Sequence, residues 1–236
     1  MAINSIKTKY MLITTRQKRQ LLNIKSTSLF IRNEKICEVQ NHKLLGITID
    51  NNLTWSCHIS KLTNRVSQKV YQLNKIKHFL DRHSREIFFH AHIQSVIDYC
   101  STIWDKASQN ILKPLCSIHR RALKLILLKS STLNTSDYQN LKILPLESKL
   151  LYNKAIFMHK IMTGKAPKYI CKLFKANENR HSHKLSLPLP KLDIFKTSLH
   201  YSGGSLWNSL PLSLKQSGSL YCFKHSAKKY FLAKLT

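Results

Sequence analysis

Between residues 59 and 80 the apolar side chains Ile59, Leu62, Val66, Val70, Leu73, Ile76 and Leu80 recur at steps of three and four, which puts them on one stripe of a helix. Lys61, Arg65, Lys69 and Lys75 fall on a ridge beside that stripe, so one edge of the helix is cationic while another packs. Asp81 or Ser84 can cap a second helix reaching Cys100, with Ile87, Phe88, Ala91, Val96 and Tyr99 among its apolar positions. A third runs from about Asn110 to Leu128 and carries Arg120, Arg121 and Lys124. Three successive helices with short connections predict a helical bundle.

The residues before this bundle read differently. Lys9 to Thr14, Ser28 to Ile31 and Cys37 to Val39 have strand character, the last two flanking the polar turn Arg32-Asn33-Glu34-Lys35. Leu45, Ile47 and Ile49 then alternate on one face of a strand from Leu44 to Ile49, within a small sheet expected to be antiparallel. Gly46 inside that strand signals a bulge or a close backbone approach, and Asp50-Asn51-Asn52 supplies turn chemistry before the first long helix.

After the polar break at 130–136 the pattern is helical again. Pro145 opens a helix from Leu146 to Met162, which Gly164 and Pro167 close, and 176–184 reads as an exposed linker. Leu206-Trp207 is an apolar anchor, followed by a final amphipathic helix around Tyr221 to Leu235. The fold class is therefore mainly α with a small N-terminal antiparallel β element, an α+β chain.

Charge is the compositional outlier. Against 11 acidic residues stand 39 Lys and Arg, a formal charge of +28. Such an excess repels itself in the compact state, and a polyanionic partner relieves the strain. Nucleic acid is the commonest partner of that kind. Cations on helix edges hold phosphates without reading sequence, and Lys61, Arg65, Lys69, Arg120, Arg121 and Lys124 are the candidates. Trp55, Trp104 and Trp207 fit core or anchor roles better than base stacking.

Other classes are poorly supported. Asp50, Asp81, Asp98, Asp105, Asp137, Glu147 and Asp193 include no adjacent pair, whereas two-metal phosphoryl transfer needs clustered carboxylates. Asp98 and Asp105 read as a helix-end cap and a solvated loop acid. Cys116-x-x-His119 is a lone half-site, Cys57-His58 is contiguous, and His181-x-His183 lacks a second pair, so no metal ligands are assigned. His90 and His92 read as ordinary, partly exposed residues, and Gly203-Gly204 alone is no phosphate loop. The six scattered cysteines look like reduced thiols of an intracellular protein, and no stretch is long and apolar enough to span a bilayer, so no membrane partner is expected.

One ordered set of short motifs goes further. Lys7-Thr8-Lys9 with Met11, the run from Lys43 to Asp50, Leu53-Thr54-Trp55 with His58-Ile59, Ile103-Trp104, Arg120-Arg121-Ala122, the segment from Gly164 to Tyr169, and Leu206 to Pro211 follow one another along nearly the whole chain. Together they resemble the end of the palm, the thumb and the following helices in reverse transcriptases of LINE-type (non-LTR) retrotransposons of the jockey-like kind. By that resemblance 1–56 is a palm remnant with a primer-grip-like β element, 57–130 a helical thumb-like bundle, and 131–236 a C-terminal helical region containing the 176–184 linker.

The resemblance also implies contact of Lys43 and Gly46 with the primer. The implied parent activity is RNA-directed DNA synthesis with Mg²⁺, on an RNA template, a DNA primer or their hybrid. Fingers, most of the palm and the catalytic aspartates have no counterpart here, so the expected protein is a C-terminal fragment with no catalytic residue and no cofactor of its own, missing its N-terminal polymerase portion. The competing reading is a basic helical nucleic-acid-binding or scaffold protein without polymerase ancestry.

Overall fold

Five short strands precede a long series of helices in the computed structural model, which describes residues 4, 7–14, 16–21, 28–31, 33–175 and 184–235. The expected linker at 176–184 lies, apart from Lys184, outside the described residues. The strands are β1 (Lys9–Tyr10), β2 (Leu29–Ile31), β3 (Glu34–Glu38), β4 (Asn41–Leu44) and β5 (Ile47–Asp50), with a short helix α1 (Arg16–Leu21) after β1. The chain is thus mainly α with a small β region near its N-terminus.

The sheet departs from expectation in its strand lengths, with β1 ending at Tyr10 and not Thr14, and also in its pairing and its turn. β2 and β3 are antiparallel, with Leu29 opposite Ile36 and Ile31 opposite Glu34, but β1 lies parallel to β3, so this three-stranded sheet is mixed. The turn between β2 and β3 is also tighter than the polar run implied, because Asn33 takes a left-handed conformation (φ 65°) and β3 already begins at Glu34. Asparagine visits that region more readily than most residues.

β4 and β5 form a separate antiparallel hairpin with Leu44 opposite Ile47. The expected single strand from Leu44 to Ile49 is therefore two strands. Leu45 (φ 46°) and Gly46 (φ 87°) are both left-handed, the requirement of a two-residue type I′ turn whose twist matches the flanking strands. Leu45 stands 84% exposed at the turn while Ile47 is buried, so the two do not share a face. The alternation of apolar residues continued across the turn and concealed it.

The helices are α2 (Ser56–Ile76), α3 (Arg82–Phe88), α4 (Ser95–Asp98), α5 (Ser101–Trp104), α6 (Gln109–Leu127), α7 (Thr135–Leu141), α8 (Leu146–Met162), α9 (Lys168–Cys171), α10 (Asp193–Lys196), α11 (Gly204–Ser209), α12 (Leu212–Lys215) and α13 (Leu220–Ala233). A π-helical segment, Phe89–Gln94, joins α3 to α4, and a second, Leu199–Gly203, leads into α11. Asp81 caps α3 by accepting from the Ser84 N–H at 3.0 Å. Cys100, left-handed at φ 50°, then separates α4 from α5.

On α2 the predicted stripe is buried at Ile59, Leu62, Val66, Val70 and Leu73, but it stops short of Leu80. The helix ends at Ile76, and a buried arginine from the next helix satisfies carbonyls just beyond its end. Arg85 Nη1 donates to the carbonyls of Lys77 (2.9 Å) and Leu80 (2.8 Å), and its Nε donates to Ile126 O at 2.9 Å near the end of α6. A cation placed among carbonyls left unpaired at helix ends satisfies acceptors that burial would otherwise orphan.

Two apolar cores result. The first joins α2, the run from α3 to α5, α6, α7 and the start of α8, and includes Trp104, Leu115 and Ile126. The second joins the later turns of α8 to α11, α12 and α13 through Met158, Trp207 and Phe223. One helix, α8, serves both, giving Leu146 and Leu150 to the first and Ala155, Met158 and Ile161 to the second. Gly203 allows the second π segment to approach α8, since a Cβ there would fall 2.7 Å from Met158 Sδ.

Candidate nucleic-acid interface

The cationic helix α2 is aimed by a single carboxylate. Asp50, buried at the end of β5, accepts from the backbone N–H groups of Asn52 (3.2 Å), Thr54 (2.9 Å) and Trp55 (2.7 Å). Leu53 (φ 54°) and Trp55 (φ 65°) are both left-handed, a costly conformation for bulky residues that these hydrogen bonds hold in place. Trp55 itself is the N-cap and offers no side-chain cap, so Asp50 orients the helix start from five residues upstream. One turn later the Thr48 N–H points at His58 Nδ1 at 3.4 Å, tying α2 back to β5. Burial, then the nearby Lys61 charge, holds the His58 ring below the usual histidine range, which suits a neutral acceptor.

The predicted site residues fall into groups. Gly46 and Arg65 line one hollow with His58, Leu62, Val96 and Tyr99. Tyr99 closes its edge by donating its hydroxyl to Leu45 O at 2.7 Å, and a Cβ on Gly46 would come within 3.3 Å of its ring. The expected close approach at Gly46 is present, made by a tyrosine at a turn and not by a bulge within a strand. Arg120, Arg121 and Lys124 share a second hollow of about 390 Å³ with Ser117, Thr132 and Leu133. Lys43 is exposed on β4 opposite Thr48, and Lys61 and Lys69 lie along α2; these three line neither hollow.

α2 packs chiefly on α6, so the two helices that carry the cations are neighbours. Among the described residues none of Lys61, Arg65, Arg120, Arg121 and Lys124 has a carboxylate within salt-bridge reach. Lys69 donates to Gln72 Oε1 at 3.3 Å and Lys124 to Ser130 O at 3.4 Å, both weak neutral contacts. Among the described residues the positive charge on these helices is not offset by an ion pair.

The acids are placed otherwise than the spacing implied. Asp105 is no solvated loop residue but a buried partner of Lys154. Asp98 is more than a helix-end residue, since it pairs with Lys149 at 3.2 Å and accepts from Gln94 Nε2 and Asn153 Nδ2, each at 2.8 Å. Cys116 and His119 are both buried. Burial, then Glu147, pushes the Cys116 thiol up to about 12, and burial holds the His119 ring down at about 4. His119 Nε2 faces Gln94 Oε1 at 3.1 Å. Among the described residues no three His, Cys, Asp or Glu side chains converge as a metal-ligand group. Trp104 and Trp207 are buried in the two cores, and Trp55 packs on the first.

Comparison of the chain with protein-family models, with curated proteins and with solved structures finds no match. No helix among the described residues is long and apolar enough to cross a membrane.

Proposed function

We propose that this chain grips nucleic acid through phosphate contacts on α2 and α6, acting as the end-of-palm and thumb portion of a LINE-type reverse transcriptase. The observation that carries the binding is a set of cations on two packed helices that have no ion-pair partner among the described residues, with Arg120, Arg121 and Lys124 gathered at one hollow. The ancestry rests on the ordered motifs from Lys7 to Pro211. In this reading the residues hold an RNA template, a DNA primer or their hybrid without selecting sequence. Catalysis is assigned to none of them, because side chains that bind phosphate by charge alone supply neither a nucleophile nor a metal pair.

Titrating a short RNA–DNA hybrid with the purified chain at increasing KCl tests the binding. Six phosphate-neutralising cations give log affinity against log salt a slope on the order of −5. A flat response overturns phosphate contact. Ancestry is tested separately by the flanking genomic sequence: a reading frame encoding Tyr-x-Asp-Asp upstream supports it, and intact flanking sequence without one favours an unrelated basic helical protein.

A further inference from the structure

A third cationic hollow, which the proposed grip does not use, lies where the two cores meet. It is a half-open hollow of about 280 Å³, room for a small polyatomic group and a few waters, with His90 and Lys142 exposed at its rim and Lys228 half-buried. The first π segment contributes His90 and Gln94 to its wall, α4 Asp98, α8 Lys149 and Tyr152, α13 Lys228, and Lys142 stands at the α7 C-cap. Segments 86 residues apart in sequence, from Lys142 to Lys228, thus deliver like charges to one cavity. Like charges are not gathered into one partly desolvated place without cost unless something of opposite sign offsets it.

The charge count defines the ligand. Lys149 is matched by Asp98 at 3.2 Å, and its ammonium also lies 5.0 Å from the centre of the Tyr152 ring. Among the described residues Lys142 and Lys228 have no carboxylate within salt-bridge reach, so two positive charges remain over. Lys142 is also held in a left-handed conformation (φ 51°), with its N–H satisfied inside the turn by Gln139 O. π-Helical turns cost backbone regularity and frequently mark functional sites. Here the π turn is the element that brings His90 and Gln94 into the wall.

We propose that this cavity is a binding site for a phosphomonoester or inorganic phosphate dianion, held by Lys142 and Lys228 with His90 beside them. The two unpaired ammonium groups match the two charges of such an anion, whereas an internal phosphodiester carries one. Lys228 is held below the usual lysine range by burial and by Lys149 and Lys142, as expected of a cation awaiting a counter-charge. Burial, then Lys228 and Lys149, likewise holds the His90 ring down, with Glu86 and Asp98 opposing. The site does not depend on the polymerase reading.

The test is nuclear magnetic resonance on the isotope-labelled full chain at constant ionic strength, titrated with inorganic phosphate, with a 5′-phosphorylated trinucleotide and with its 5′-hydroxyl counterpart. Saturable shifts centred on His90, Gln94 and Tyr152 are expected with phosphate or the 5′-phosphorylated probe. The probe that produces them identifies the source as free phosphate or a nucleic-acid end. Lys228→Gln and Lys142→Asn should each weaken binding about tenfold, the effect of losing one close charge. Lys229→Gln removes the same charge from an exposed neighbouring position and should leave binding unchanged.

Sulfate keeps both charges across the range and separates the protein's titration from the ligand's. Its binding should tighten severalfold from pH 7.5 to 5.5 as His90 takes up a proton beside the bound anion. Unsaturable shifts spread over all basic surfaces, equal binding of the 5′-hydroxyl probe, or equal loss in Lys229→Gln overturns the proposal.

Discussion

Lys154 Nζ lies 2.6 Å from the Asp105 carboxylate, and the two side chains are 0% and 3% exposed. The same ammonium donates to Ser202 Oγ at 2.8 Å, and Ser202 in turn donates to Ser198 O. One buried charge pair therefore joins the end of α5, the middle of α8 and the second π segment. Burial pushes the Asp105 carboxyl up and the Lys154 ammonium down, each opposed by the other's charge. Removing one partner leaves the other charge stranded. Lys154→Met or Asp105→Leu should each lower stability by about 3–5 kcal/mol in urea unfolding, and the double variant should recover most of the loss. Additive losses would show that the pair is not coupled.

Asp50 predicts a second sensitivity. Asp50→Ala leaves three backbone N–H groups at the α2 start without their acceptor and should destabilise by about 2–3 kcal/mol. Asp50→Asn should not rescue, because an amide NH₂ in place of Oδ2 would face the Trp55 N–H that now sits 2.7 Å away. Thermal unfolding of both variants decides it; a stable Asn variant would mean Oδ1 alone suffices.

His119 gives a pH dependence with a definite sign. Its ring titrates at about 4 in the fold against an ordinary value of 6.5, chiefly through burial, so between those values the unfolded chain binds the proton more readily. The stability this residue contributes is complete above pH 6.5 and is lost as pH falls toward 4. At pH 4.5 the loss should be on the order of 2–3 kcal/mol relative to pH 7. His119→Leu should make that part of the curve shallower, with His58, His90 and His159 carrying what slope remains, measured by urea unfolding at the two pH values.

Replacing Arg120, Arg121 and Lys124 together by Gln should reduce the magnitude of the salt slope for hybrid binding by about 2–3, one increment for each phosphate no longer neutralised. Affinity should fall most at low salt and hardly differ at high salt. Unfolding should be nearly unchanged, since Arg120 and Arg121 are exposed and Lys124 is half-buried. An unchanged slope would remove α6 from the interface.

The helices were legible in the sequence because their signals are local. The period of Ile59 to Leu73, the Asp81 cap and the Leu146–Met162 helix each depend on neighbours within a turn or two, and the structure has them at those places. The Leu45-Gly46 turn was masked because alternation carried on through it, and the parallel partner of β1 because pairing across 28 residues leaves no local trace. The net charge and the presence of cations on α2 and α6 were likewise fixed by composition and period.

Which charges are answered, however, was decided only by the tertiary structure. Asp105 and Asp98 look alike in sequence, yet folding buries one against Lys154 and sets the other on Lys149, Gln94 and Asn153. Arg85 is one basic residue among many until two helix ends close over it, and Lys142 and Lys228 become a pair only when α13 returns to the cavity beside α8. A charge's role depends on its local dielectric and its partners in space, and those are set by contacts far apart along the chain.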